Sequence, residues 1–482
     1  MDTSPPASPS CTNYIHNFHS LHSLYLDDIS DTEIIYAIAK LKNTVSAGHD
    51  NINANHIKIA SIYLYKPLKI LYNNILCTED FPLELKTSKI IPILKNGNHN
   101  VLSNYRPIAI TSTIAKIFEY CILSKMNNYI KRNQILNPKQ FGFTENSNTT
   151  TALTTIINDI TLSVDDSLLV NVLFLDLSKA FDSIDHNILL NKLQNYGFRG
   201  KINNILRNYL TKRLQYVSHN NHSSSFLTNK QGVPQGSILG PLLFNLYLND
   251  IFFNYCKSPD NNQSSMYAYA DDITVIIKAK NLSDLNNYTH NIISKISTWC
   301  HVNGLSINAN KTKIMAFNHN PIKNNIVYKI NNTTIEYVTN FKLLGVNIDP
   351  SLNFCNHVNL NIKQILPMFA CLKKNHNYIN QQCKNLIYKS LILPKITYAI
   401  PIWWDNNKSQ MSKLESFNNK IIKKIFNINN KKERKFLTIH DHYRLQINIL
   451  TYKQINNLEV PTLDLLNYIP ASDRLKNRLK SI

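Results

Sequence analysis

The 482-residue chain has no C-x-x-C pair, and its eight cysteines (Cys11, Cys77, Cys121, Cys256, Cys300, Cys355, Cys371, Cys383) lie scattered along it. In a chain this long without a secretory signal, that argues against a disulfide scaffold and leaves buried thiols as the ordinary reading. Cys371, His376 and Cys383 only loosely resemble a zinc knuckle, since one cysteine is missing and the spacing is wrong. No run of about eighteen apolar residues occurs, and the most apolar stretch, 391–404, is broken by Lys395. The first 26 residues are rich in Ser, Pro and His and lack the basic and apolar parts of a signal peptide. The chain is therefore expected to be neither secreted nor membrane-bound, with a nuclear or cytoplasmic location. Acidic residues are scarce as well: 31 Asp+Glu stand against 52 Lys+Arg, a net charge of +21. Such a balance favours a polyanionic partner, nucleic acid being the commonest. About two-thirds of the surplus lies from residue 350 onward, where 21 Lys+Arg meet 7 Asp+Glu.

What is present is a globular composition, 43% hydrophobic, long enough for two to four domains or subdomains. Residues 1–29 read as a disordered lead-in. Ser30 and Glu33 form a capping box, with Ile34, Ile38 and Leu41 following at helical spacing. The turn Ser46-Ala47-Gly48-His49-Asp50 is expected to end that helix, and residues 52–75 continue in a helical rhythm. Lys89–Leu94 reads as a strand, with Pro92 suggesting an edge position. Ser167–Leu175 is a buried strand expected to end at Asp176. Met266–Ala270 and Ile273–Ile277 predict a hairpin with Asp271 and Asp272 at its tip. Asp185–Leu193 and Leu282–Trp299 predict amphipathic helices.

An Asp-Asp pair on a loop is most often a solvated turn or a helix cap. A third carboxylate, about 95 residues earlier at the end of a buried strand, changes the reading. If the two strands are neighbours, three carboxylates converge, repel and raise one another's pKa. Two Mg²⁺ ions resolve that repulsion, since magnesium takes oxygen ligands and substrate phosphates. Paired ions also stabilise the attacking and leaving oxygens of an in-line phosphoryl displacement.

The company these acids keep is specific. Tyr267-Ala268-Tyr269-Ala270-Asp271-Asp272 resembles the aromatic-x-Asp-Asp motif of reverse transcriptases. Phe174-Leu175-Asp176-Leu177-Ser178-Lys179-Ala180-Phe181-Asp182, followed by His186, resembles the first-aspartate motif of the non-LTR retrotransposon branch. Gly232-Val233-Pro234-Gln235-Gly236-Ser237, with Leu239-Gly240-Pro241, resembles the Pro-Gln-Gly motif. Asn104-Tyr105-Arg106-Pro107-Ile108 resembles a fingers motif, and Gln140-Phe141-Gly142-Phe143 the segment after it. Asn310-Lys311-Thr312-Lys313 resembles a late palm motif, and Phe341-Lys342-Leu343-Leu344-Gly345-Val346 the primer-grip region. Tyr398 with Ile400–Trp404 fits a segment seen after the palm in jockey-like elements. Seven motifs in family order span most of the chain. It departs from the pattern at Ala109-Ile110, where Ser-Leu is usual, and at His49, where proline is more common.

The resemblance implies an α+β, right-hand polymerase fold: fingers over 30–165, a palm with a small antiparallel sheet over 166–350, a helical thumb over 351–430 and a basic tail over 431–482. It implies an RNA-directed DNA polymerase that adds dNTPs to a primer 3′-OH on an RNA template. Asp176, Asp271 and Asp272 would hold two Mg²⁺ ions, Mn²⁺ being an alternative. Arg106 would hold the triphosphate, a task its guanidinium fork suits, unless it makes only a surface salt bridge. Phe181 would be the gate against a ribose 2′-OH, or a plain core aromatic. Gln235 and Gly236 would line the dNTP pocket and contact the template strand, or form an ordinary turn before a helix. Lys311 would act as general acid toward pyrophosphate, neutralise it, or be a solvated lysine. Lys373, Lys374, Lys420, Lys423 and Lys424 would track the phosphate backbone, and Lys431–Lys435 reads as a nuclear signal or more of that basic surface. Few residues precede the fingers and the late acids are scattered, so a nicking endonuclease is expected from elsewhere and no RNase H is read. Expected partners are the RNA template, a DNA primer or target DNA, and dNTPs. A decayed or domesticated nucleic-acid-binding copy is the alternative, opposed by the intact acids, Arg106 and Gln235. An intron-maturase-like enzyme lacks its maturation signature here.

Overall fold

The computed structural model describes residues 20–95, 97–220, 222–255, 263–318, 326–375, 377–404, 408–426 and 436–456. Residues 1–19 of the expected lead-in and the basic tract 431–435 lie outside the described residues, whereas residues 20–29 are not a loose lead-in: Leu26 and Ile29 are buried, and the Ser20 and Leu24 amides donate to the Asn195 and Gly197 carbonyls. The chain divides into two compact units, each assembled from separated stretches. The first comprises Met1–Phe143, Asp176–Pro259 and Ile293–Asn308; the second comprises Thr144–Leu175, Asp260–Ile292 and Ala309–Ile482.

In chain order the strands are β1 (Ser88–Leu94), β2 (Tyr105–Thr111), β3 (Leu169–Ser178), β4 (Arg213–His219), β5 (His222–Ser223), β6 (Leu227–Asn229), β7 (Ser264–Tyr269), β8 (Asp272–Ala279), β9 (Ser306–Ile307) and β10 (Lys313–Phe317). Five short strands follow: β11 (Lys329–Ile330), β12 (Thr333–Thr334), β13 (Glu336–Tyr337), β14 (Phe341–Leu343) and β15 (Val346–Ile348).

The first unit opens with the capped helix Asp31–Lys40. Ser30 accepts from the Glu33 amide, and the Glu33 carboxylate accepts from the Ser30 amide at 2.8 Å. Such a cap contributes about 1 kcal/mol. Ile34 and Ile38 turn inward. The helix stops at Leu41, ahead of the 46–50 turn, which instead belongs to a loop closed by an Ala47–Asn53 bridge. The helices Ala54–Ile59 and Ser61–Thr78 follow the expected rhythm. Tyr72 and Phe81 flank Phe118 at 5.5 and 5.4 Å, and all three are buried.

The sheet of this unit runs β2-β1-β4-β5, with β6 also on β4. β1 is therefore interior, not the edge strand that Pro92 suggested. The reason is local. Pro92 stands opposite Pro107 in the antiparallel β1–β2 ladder, and the parallel β1–β4 ladder covers only Ser88–Ile90. Two prolines facing each other form a non-hydrogen-bonded pair, so Pro92 turns its missing N–H to the side that β4 has already left.

The second unit holds a sheet in the order β13-β10-β3-β8-β7. β3 is its middle strand, and residues 170–175 are all buried, as expected of an apolar run covered on both faces. Its one buried polar side chain, Asn171, donates to Thr289 at 3.2 Å and Tyr328 at 3.3 Å. β3 outlasts its expected end. Leu177 and Ser178 pair with Ile307 and Ser306 of β9, and the Asn308 amide donates to the Asp176 carbonyl at 2.8 Å. Asp176 thus lies inside a strand. From Cys355 onward the described secondary structure is helical, including Cys355–Lys374, Gln381–Ile387, Lys408–Phe426 and Ile439–Ile455. Lys373, Lys374, Lys420, Lys423 and Lys424 are all exposed. Among the described residues no helix is long and apolar enough to cross a membrane.

Candidate active site

The expected hairpin is present. β7 and β8 pair antiparallel from Ser264↔Ile277 to Tyr269↔Asp272, leaving Ala270 and Asp271 as a two-residue tip. Asp272 is the first residue of β8, and both acids are exposed. The tip is strained: Ala270 has φ +57°, a left-handed conformation that costs an L-residue with a Cβ about 1–2 kcal/mol. The hairpin is anchored to the helix Thr149–Asp165. The Tyr267 hydroxyl donates to the Asp159 carboxylate at 2.8 Å, and the Lys278 ammonium lies 3.3 Å from it. Burial, reinforced by that carboxylate, holds the Tyr267 phenol far above its ordinary pKa, so it remains a donor.

A second cluster lies within the first unit. The Gly232 amide donates to the Ile184 carbonyl at 2.7 Å and the Val233 amide to the Phe181 carbonyl at 2.9 Å. The His186 ring is hydrogen-bonded to the Gly232 carbonyl at 2.8 Å. The Gln235 amide donates to Asp182 at 2.8 Å. Burial pushes the Asp182 carboxyl up, against the pull of Gln235 and Lys179. Gly232 has φ +81°, and a Cβ there would meet the Asp182 backbone at 2.7–2.8 Å. On the other side, the Ala109 amide of β2 donates to the Gln235 carbonyl at 2.8 Å. Backbone bonds therefore lace the 232–236 loop to the 181–186 segment and to β2.

The sequence-predicted residues fall as follows. Phe181 is half-buried, stacked on Phe244 at 4.3 Å and edge-on to Phe143 at 6.3 Å. Gln235 lines a cleft of about 310 Å³ with Pro107, Ala109 and Asp182. Arg106 is exposed on β2, beside Pro107, and Gly236 is exposed beside Gln235. Lys311 is exposed in the turn before β10. Asp176 is half-buried on β3, which neighbours β8 in the sheet order. Among the described residues no three His, Cys, Asp or Glu side chains form a group that could hold a metal ion. The donor chemistry nonetheless suits a hard divalent cation: carboxylate oxygens, two of the three acids exposed, and no His or Cys in the hairpin.

One buried residue escaped the motif reading. Glu119, on the helix Thr113–Arg132, accepts from the Ile238 and Leu239 amides at 2.6 and 3.2 Å, just ahead of the helix Gly240–Leu248. Burial raises its pKa, opposed by Arg213 and those two amides. Its signal was an acid on the apolar face shared by Ala115, Phe118 and Ile122.

The family described as "Reverse transcriptase (RNA-dependent DNA polymerase)" matches residues 93–348, more than half of the sequence. The chain belongs to the reverse transcriptase family. Its architecture mixes helix and sheet, and members of that family generally use divalent metal ions. It is 26% identical over 411 residues to "Probable RNA-directed DNA polymerase from transposon BS" of Drosophila melanogaster, covering 84% of this chain and 45% of that protein. It is 26% identical over 409 residues to "RNA-directed DNA polymerase from mobile element jockey" of the same species, covering 84% and 44%. The chain thus spans under half the length of these relatives. Among solved structures, it resembles apo telomerase from Candida tropicalis at 14% identity and a TM-score of 0.38, covering 59% of each chain.

Proposed function

We propose that this reverse transcriptase is the RNA-directed DNA polymerase of a jockey-like, non-LTR retrotransposon, adding dNTPs to a DNA primer 3′-OH on an RNA template. The observation that carries the reading is the strained β7–β8 tip, which presents Asp271 and Asp272 side by side within a matched polymerase domain. Strain in a two-residue turn is tolerated where the position of a side chain matters more than stability.

In this reading Asp176, Asp271 and Asp272 hold two Mg²⁺ ions, with Mn²⁺ as a substitute. Bound there, the ions would supply charge stabilisation for the attacking and leaving oxygens. Arg106 grips the triphosphate with its guanidinium fork. Gln235, oriented by Asp182, and Gly236 shape the floor under the nucleotide, and the Phe181 ring excludes a 2′-OH. Lys311 neutralises or protonates the departing pyrophosphate. The exposed lysines of Cys355–Lys374 and Lys408–Phe426 track the duplex backbone, a contact that weakens as salt rises.

Primer extension tests it. Purified protein receives poly(rA), oligo(dT), dTTP and Mg²⁺ beside an Asp271→Asn control. Extension by the wild type, abolished by the substitution and by chelation of the metal, is the expected result. A folded wild type that binds the duplex and extends nothing would leave only a nucleic-acid-binding protein.

A further inference from the structure

Three aromatic rings gather on the five-stranded sheet of the first unit. Tyr216 of β4, Phe226 just before β6 and His49 from the 46–50 turn meet edge to face. The ring centroids lie 5.1 Å apart for Tyr216–Phe226 and 5.7 Å for His49 against each. Each edge-to-face contact covers one face of one ring, so three contacts do not use up the six faces, and this cluster is at the surface. Phe226 is 51% exposed and the next residue, Leu227, 64%. A ring that served only the core would not be left so open.

The surroundings restrict what fits. Tyr216 and Leu227 also line the 310 Å³ cleft, together with the amides Gln215, Asn229, Gln231 and Gln235. Side-chain amides offer a donor and an acceptor each, which suits the edge of any nucleobase. The strands β1, β2, β4, β5 and β6 carry not one Asp or Glu; of their cations Arg106 is exposed, Lys89 half-buried, and Arg213 buried, donating to the Tyr209 carbonyl and the Ser88 hydroxyl. Lys212 and Lys230 flank β4 and β6 and are exposed. The single acid among the cleft-lining residues, Asp182, accepts from Gln235. Aromatic faces, amides and cations together match bases strung on a phosphate backbone.

We propose that His49, Tyr216 and Phe226 form a stacking shelf for unpaired bases of the single-stranded template, with the adjoining amide-lined cleft receiving a base edge. The shelf rests on the polymerase reading and adds a site to it. Stacking on a ring face is tolerant of base identity, so the shelf grips any template sequence. Exposed Lys212 and Lys230, at the ends of β4 and β6, supply the phosphate contacts.

Anisotropy titration of labelled primer–template duplexes tests the shelf, with primer extension measured in parallel. One duplex is blunt, one carries a four-nucleotide RNA 5′ overhang, and one carries the same overhang with abasic riboses. Wild type is expected to bind the base-bearing overhang on the order of tenfold tighter than the blunt or abasic duplex. Phe226→Ala and Tyr216→Ser remove that preference and leave blunt-duplex affinity unchanged; Phe226→Trp retains it. The abasic comparison is made on unaltered protein, so it does not depend on a variant folding. Wild type that extends primers but binds base-bearing and abasic overhangs equally overturns the shelf alone and leaves the cluster to a protein partner. Failure to bind or extend any primer–template overturns the polymerase reading and the shelf with it.

Discussion

The buried pair Lys192–Asp250 offers a stability test with a defined pH signature. The Lys192 ammonium donates to the Asp250 carboxylate and to the Tyr247 carbonyl, each at 2.7 Å, with side chains 0% and 2% exposed. The rings of Tyr247 and Trp299 lie 4.6 and 4.8 Å from the same nitrogen. Burial pushes Asp250 above its ordinary pKa of 3.8, and Lys192 is the main force holding it down. Lys192→Met keeps the volume and deletes the charge. Asp250 then takes up a proton in the folded state, while the unfolded chain keeps the ordinary value. Because the folded pKa is the higher, the fold binds the extra proton, and its stability falls as pH rises between 3.8 and that folded pKa. The penalty therefore grows with pH over that window, on the order of 1 kcal/mol per pH unit. The assay is urea unfolding at pH 5, 6 and 7, followed by Trp299 fluorescence in a Trp403→Phe/Trp404→Phe background. Lys192→Met/Asp250→Asn, which carries no charge, should lose the pH dependence. A Lys192→Met penalty that is flat from pH 5 to pH 7 would refute the reasoning.

Two further outcomes follow from the loop clusters. Phe181→Val should raise incorporation of ribonucleotides relative to dNTPs by tenfold or more, about 1.4 kcal/mol of discrimination, in single-turnover extension; unchanged discrimination with a lower melting point would make Phe181 a core ring packed on Phe244. Gly236→Ala places a Cβ at 2.3 Å from the Ala109 carbonyl at a φ of +129°, so the loop must move. We expect a higher KM for dNTP, while Ser237→Ala, whose hydroxyl caps the turn at the Pro234 carbonyl, changes it less; equal effects would refute a specific demand for glycine.

Much of the fold was legible because it is encoded locally. The Ser30–Glu33 capping box, the Leu282–Val302 helix and the β7–β8 hairpin each depend on residues a few positions apart. Departures from these local patterns come from distant partners. β3 ran past Asp176 because β9, more than 120 residues later, pairs with its end. Pro92 looked like an edge marker because nothing near it announces that β4 joins only the first half of β1. Glu119 belongs to no local motif, because its hydrogen-bond partners, Ile238 and Leu239, lie about 120 residues away.

The sequence alone determined the family, the order of the motifs and the identity of the candidate carboxylates, since motif spacing and acid-base chemistry are written in the chain. Only the tertiary structure decided that Gln235 is held by Asp182, that Lys192 and Asp250 share a buried site, and that His49, Tyr216 and Phe226 share an exposed one. Each of these depends on which distant segments pack together. That choice is made by burial of the whole apolar surface and not by any short stretch of sequence.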